Sequence, residues 1–287
     1  MLRILALTDF SENANNALRN ALKLARYYSA EVVFMHVMTK PMVPATSPEE
    51  VFSGVYLTEK EKHHHRLLSE VTALYHELGL RHSEIPKQVV IENGPVADAM
   101  LQVINRNKIS LVMAGHSAPN GLKRLLLGST TYNLSRICPV PLLIIPPAFD
   151  FSGFKNIAVV VSLKQFGYRP GFKLLARFAF TFSSTIHLLV FYEQDESVPE
   201  LAELLNPKSL QDDMQDIPYE IIPFLKESEE EKLRNQLTRN NYDMLVWLPK
   251  PTAWWGDLFT ETYSEEIAHE AKIPLLIIPH LAEEKNG

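Results

Sequence analysis

Two short stretches decide the fold: "VPLLIIPP" (Val140–Pro147) and "IPLLIIPH" (Ile273–His280). Each is a brief apolar run closed by proline, the pattern of a strand buried on both faces. Their recurrence more than a hundred residues apart marks an internal repeat. Working outward, a second buried run precedes each of them, "ISLVMAGH" from Ile109 and "YDMLVWLP" from Tyr242. The openings of the two halves also correspond. "RILALTD" (Arg3–Asp9) matches "NIAVVVS" (Asn156–Ser162), and "LKLARYYSAEVVFMHV" matches "KLLARFAFTFSSTIHLLVFY" with a small shift in length.

Within the first half the order of elements is legible. A strand over Arg3–Leu7 leads to a helix over about Asn13–Tyr28, where Ala14, Leu18, Ala21, Leu22 and Ala25 recur at helical spacing. The run "EVVFMHV" is a second strand. A loop containing Pro41, Pro44 and Pro48 precedes a helix expected from about Thr58 to Leu78 and ended by Gly79. "KQVVIE", "SLVMAG" and "PLLIIP" follow as strands, and Pro95 opens a helix between the first two of these. Strands alternating with helices imply βαβ units and a parallel sheet covered on both faces. The fold class is therefore α/β, with two tandem Rossmann-like domains, each a five-stranded, mainly parallel sheet flanked by helices. "FDFSGFK" (Phe149–Lys155) joins them, giving expected domains 1–148 and 154–283.

Totals bound the function. The 287 residues suit two domains, and 46% hydrophobic content supplies two cores. A net charge of −6 argues against nucleic acid or an anionic membrane as the main partner. The single cysteine, Cys138, excludes an intrachain disulfide and suits a reducing, cytoplasmic setting. "MLRILALTDF" meets Asp9 too soon to be a signal peptide, and no apolar run approaches the length of a membrane helix.

An open parallel sheet takes ligands outside the carboxyl ends of its strands. Strand one ends there in Thr8 and Asp9, strand two in His36 and Val37, strand four in Ala114 and Gly115. After the last comes "AGHSAPNGLKRLLLGSTTYNLSR" (Ala114–Arg136). Its glycines would let the backbone approach phosphate oxygens. Gly128, Ser129 and Thr130 precede a helix whose free N–H groups favour an anion. Neither G-x-G-x-x-G nor the usual P-loop is present, so this stretch alone suits a ligand-free strand-to-helix turn equally well.

These residues, with "TDFSENANNALRNALKLA" and "GLKRLLLGS", resemble the universal stress protein family over essentially the full length, as a tandem pair. The family's nucleotide signature, G-x2-G-x9-G-S/T, reads here Gly115, Ala118, Gly128 and Ser129. The resemblance implies an adenine nucleotide alpha hydrolase-like fold. It implies ATP or a related adenine nucleotide as a regulatory ligand, with magnesium accompanying it. Asp9, beside Thr8, would contact the nucleoside, and Val37 the adenine through its backbone. Gly115, Ala118, Gly128, Ser129 and Thr130 would surround the phosphates. Ala118, followed by Pro119, stands where the family has glycine. In the second half the corresponding positions are Leu248, Pro251, Glu261 and Thr262, with Ser162 for Asp9, so that half is expected not to bind ATP. The family's dimers pair through the last strand, implying an intramolecular pseudo-dimer of the two domains. A homodimer or another protein partner through a remaining surface stays open.

Other features have plainer readings. The histidines of "EKEKHHHR" (Glu59–Arg66) point about 100° apart on a helix and cannot chelate one ion together. Glu61 with His64 or His65 has metal-ligand spacing, but a solvated helix face is the expected role. His36 is expected to be structural, and Cys138 a buried, inert thiol. Trp254 and Trp255 replace the glycine loop in the second half, as a plug for the vacated site or as a partner surface. The alternative functions are a nucleotide-independent interaction scaffold in stress response and, with no obvious base beyond Asp9, a slow ATPase.

Overall fold

The computed structural model describes residues 2–41, 44, 46, 48–81, 83–116, 134, 136–162, 169–192, 217–225, 235–236, 241–247 and 272–279. The chain divides into two compact units between Phe151 and Ser152.

In the first unit the described elements run β1 (Arg3–Thr8), α1 (Glu12–Tyr28), β2 (Glu31–Met38), α2 (Glu49–Glu77), β3 (Lys87–Asn93), α3 (Val96–Asn107), β4 (Leu111–Gly115) and β5 (Leu142–Ile145). The strands are ordered β3-β2-β1-β4-β5, and their pairings are parallel. β1 therefore lies at the centre, with Leu5 registered on Val33 of β2 and on Val112 of β4. Both flanks of β1 are covered, so Ile4, Leu5 and Ala6 are fully buried and the strand reads as a continuous apolar run. The chain leaves β1 in one direction to β2 and enters β4 on the other side. That gap is the switch point at which such sheets bind ligands.

Local chemistry sets the helix ends. Ser11 caps α1, its Oγ accepting from the Ala14 N–H at 3.2 Å. One face of α1 buries Ala14, Ala17, Leu18, Ala21, Leu22 and Ala25 against the sheet. Ser29 (φ 47°) and Lys108 (φ 50°) close α1 and α3 in the left-handed conformation. α2 begins at Glu49, nine residues before the start expected at Thr58. Pro48 presets the entry and Glu49 and Glu50 complement the N-terminal dipole, so the helix extends through a segment without apolar periodicity.

In the second unit the described elements are β6 (Asn156–Ser162), α4 (Arg169–Phe182), β7 (Thr185–Tyr192), β8 (Tyr219–Leu225), β9 (Met244–Trp247) and β10 (Leu275–Ile277). Their order, β8-β7-β6-β9-β10, repeats that of the first unit, again with parallel pairings. The sequence repeat is thus a repeat of topology: both units are five-stranded Rossmann-like α/β sheets. Among the described residues no helix is long and apolar enough to cross a membrane.

Candidate functional site

The carboxyl ends of β1, β2 and β4 surround an open pocket of about 150 Å³. Thr8, Asp9, Val37 and Gly115 all line it, over a floor that includes Leu7, Met35 and Ala114, with Val96 and Leu134 alongside. Four of the eight residues singled out from the sequence are thus neighbours around one cavity. The other four, Ala118, Gly128, Ser129 and Thr130, lie outside the described residues, as does Pro119. So do Leu248, Pro251, Glu261, Thr262, Trp254 and Trp255 of the second half. Ser162 ends β6.

The β1–α1 turn is fixed by its own side chains. Thr8 is buried, and its Oγ1 accepts from the Phe10 N–H at 2.9 Å. The Asp9 carboxylate accepts from the Ser11 N–H at 2.9 Å and remains exposed, so one oxygen anchors the turn while the group faces solvent at the pocket rim. A partly apolar pocket with an acceptor at its edge suits a small ligand that has an apolar face and a hydrogen-bond donor.

Gly115 has a second, structural reason to be glycine. A Cβ built on it would sit 2.5 Å from the Asn13 carbonyl oxygen, 2.7 Å from its carbon and 2.9 Å from the Ala14 nitrogen. The first turn of α1 therefore rests directly on the backbone at the end of β4. Asn13 reinforces this contact by donating from Nδ2 to the His116 carbonyl at 3.0 Å. The close approach serves packing of the unit whether or not a phosphate is bound.

The histidine run divides by face. His64 and His65 are exposed, in keeping with a solvated face, but His63 turns inward. Its ring stacks on His36, with centroids 4.8 Å apart and planes inclined by 12°. Phe10 lies 4.2 Å from the His36 ring, and the Arg66 guanidinium sits 4.0 Å from the centre of the Phe10 ring. Burial lowers the His36 pKa, against a hydrogen bond to the Thr8 carbonyl that raises it. Sequence reasoning treated His36 alone and missed Phe10, His63 and Arg66. Only the inward angle of one histidine in three, set by where α2 meets the sheet, could have indicated them. Cys138 is buried, its Sγ donating to the Val140 carbonyl at 3.1 Å, and burial pushes the thiol up to about 11.

Known proteins match this chain in both sequence and fold. A family model described as "Universal stress protein family" matches residues 1–146. Universal stress protein YxiE of Bacillus subtilis is 26% identical over 153 residues, which is 50% of this chain and 97% of that protein. Universal stress protein MJ0531 of Methanocaldococcus jannaschii is 26% identical over 147 residues, or 50% of this chain and 81% of that protein. The crystal structure of a universal stress protein from Archaeoglobus fulgidus is similar in fold over the whole length. Its TM-score is 0.69 at 14% identity, with 97% of this chain and 98% of that chain covered. A model match over half of the chain, on the unit that carries the pocket, establishes the conclusion: the chain belongs to the universal stress protein family.

Proposed function

We propose that this is a stress-response protein whose first unit binds ATP or a related adenine nucleotide as a regulatory ligand. The observation that carries the reading is the convergence of Thr8, Asp9, Val37 and Gly115 on one pocket at the switch point of the sheet. Asp9 would accept from the ribose hydroxyls. The backbone at Val37 would face the adenine, over the apolar floor. The backbone from Gly115 onward, through Ala118 to Gly128, Ser129 and Thr130, would carry the phosphates. Magnesium would arrive with those phosphates. Among the described residues no group of three or more His, Cys, Asp or Glu side chains is positioned to hold a metal ion.

The regulatory reading is placed ahead of a slow ATPase because, of the residues singled out from the sequence, Asp9 is the obvious base and one of its oxygens is given to the Ser11 N–H. The second unit, lacking the motif glycines, is assigned a non-binding role. The wider proposal includes a cytoplasmic setting and pairing of the two "PLLIIP" strands, which would cover two apolar edges. Isothermal calorimetry on the full chain with ATP and magnesium tests the central claim. Saturable binding with one site per chain is expected. Absence of heat at millimolar ATP, with the protein folded, would overturn it.

A further inference from the structure

Adjacent residues of the β1–α1 turn have separate surroundings. Asp9 lines the pocket, whereas Phe10 belongs to the cluster made with α2: His36 at 4.2 Å, His63 at 6.0 Å and the Arg66 guanidinium at 4.0 Å. Phe10 holds φ at 66°, a left-handed conformation that an aromatic residue adopts only when its neighbours impose it. The stack supplies that constraint, together with the bond from the Phe10 N–H to Thr8 Oγ1.

The stack is built for a neutral His36. His36 Nδ1 lies 2.9 Å from the Thr8 carbonyl oxygen, which can only accept, so in the neutral ring Nδ1 carries the proton. A second proton would go to Nε2, which is buried without a hydrogen-bond partner. Nδ1 of His63 is buried and unpartnered in the same way. A cation formed at Nε2 would lie against the His63 ring, under the influence of Arg66, and has no hydrogen-bond acceptor among the described residues. The charged and titratable groups bearing on His36 are His63 and Arg66 from α2 and Asp9 from the end of β1. β3 places the neutral Ile91 beside it. Glu59 bears on His63, and Glu70 accepts from Arg66 at 3.1 Å. Burial is the largest influence and opposes the cation, His63 and Arg66 add to it, and the Thr8 carbonyl and Asp9 act the other way.

We propose that the His36–His63 stack is a proton-sensitive latch: charging His36 in mild acid separates α2 from the β1–α1 turn, frees Phe10 and shifts Asp9 at the pocket rim. Only the last step, weaker nucleotide binding in acid, rests on the nucleotide reading given above. The sign follows from linkage. Burial holds the His36 pKa in the folded protein below its ordinary 6.5. The opened turn therefore binds more protons than the closed one as pH falls through that range. The closed state is fully favoured above 6.5 and loses ground below it.

Amide hydrogen exchange on the full chain, without nucleotide, tests the latch. After correction for the intrinsic rate, the Phe10 and Ser11 amides should lose roughly tenfold protection between about pH 7.5 and 5.5, the linkage limit for one proton. His36→Asn keeps a side-chain donor for the Thr8 carbonyl but cannot titrate. His36→Phe keeps a ring for the stack. Either variant should flatten the loss, and in the unmutated protein the His36 ring resonances should titrate over the same range. Unchanged protection in the unmutated protein, or an equal loss in whichever variant folds, would overturn the latch. A second arm uses adenosine, which carries no titrating phosphate. Its affinity should fall in acid with the same midpoint. If adenosine and ATP both fail to bind at pH 7.5, the nucleotide reading fails, and the latch is still decided by the amides.

Discussion

Replacing Gly115 by alanine separates two explanations of that glycine by measurement. The added Cβ would lie 2.5 Å from the Asn13 carbonyl oxygen and under 3 Å from two further backbone atoms of the α1 first turn. No side-chain rotation relieves a backbone contact, so α1 or the end of β4 must move by most of an ångström. That turn is committed elsewhere: Ala14 and Ala17 are buried, Ser11 Oγ accepts from Ala14, and Asn13 donates to the His116 carbonyl. Overpacking of this kind typically costs about 1–3 kcal/mol, and the rigidity of both partners argues for the upper half. In urea the midpoint of the first unit should fall accordingly with little change in slope. Gly54→Ala is the internal control. Nothing lies within 4 Å of a Cβ there, and Gly54 is inside α2, so the exchange should stabilise by about 0.5–1 kcal/mol. If Gly115→Ala unfolds within about 0.5 kcal/mol of the unmutated chain, and only ligand binding changes, the packing argument is wrong.

Further outcomes follow from the same geometry. Asp9→Ala should weaken ATP binding more than tenfold by calorimetry while changing stability by less than about 1 kcal/mol, since the carboxylate is exposed and gives up one turn hydrogen bond; unaltered affinity would remove Asp9 from the site. Asn20→Ala should cost about 1–3 kcal/mol in urea unfolding, because the Phe151 N–H and the Phe149 carbonyl both lose their Asn20 partner in a largely buried setting; a cost under about 0.5 kcal/mol would show the pairing is replaceable. Cys138, with a thiol pushed up to about 11, should resist alkylation at pH 8 in the native chain and react promptly in denaturant; rapid native labelling would contradict its burial.

Much of the fold was legible because buried parallel strands read as short apolar runs, and the repeated "PLLIIP" fixed the count of units. The start of α2 was not, since Val51 and Leu57 are exposed and leave no stripe to follow. The strand β8 was missed for a different reason. Pro223 interrupts it, and the chain accommodates proline there because β8 is an edge strand. At the pocket, Asp9, Val37 and Gly115 were found through strand ends, which topology brings together whatever lies between them. Phe10 was invisible: its role depends on a positive φ and on partners more than twenty-five residues away, neither of which has a sequence signature.

The asparagines of α1 bear on where the chain can be cut. Asn16 donates to the Pro146 and Phe149 carbonyls at 3.2 and 3.1 Å, and Asn20 both donates to Phe149 and accepts from the Phe151 N–H. Phe151 itself is buried, its ring edge-on to Tyr27. A first unit excised after Ala148 would keep the Pro146 carbonyl but strip the Phe149 and Phe151 partners from the back of α1, and expose an amide-lined groove beside Tyr27. One ending at or beyond Phe151 would carry its own seal.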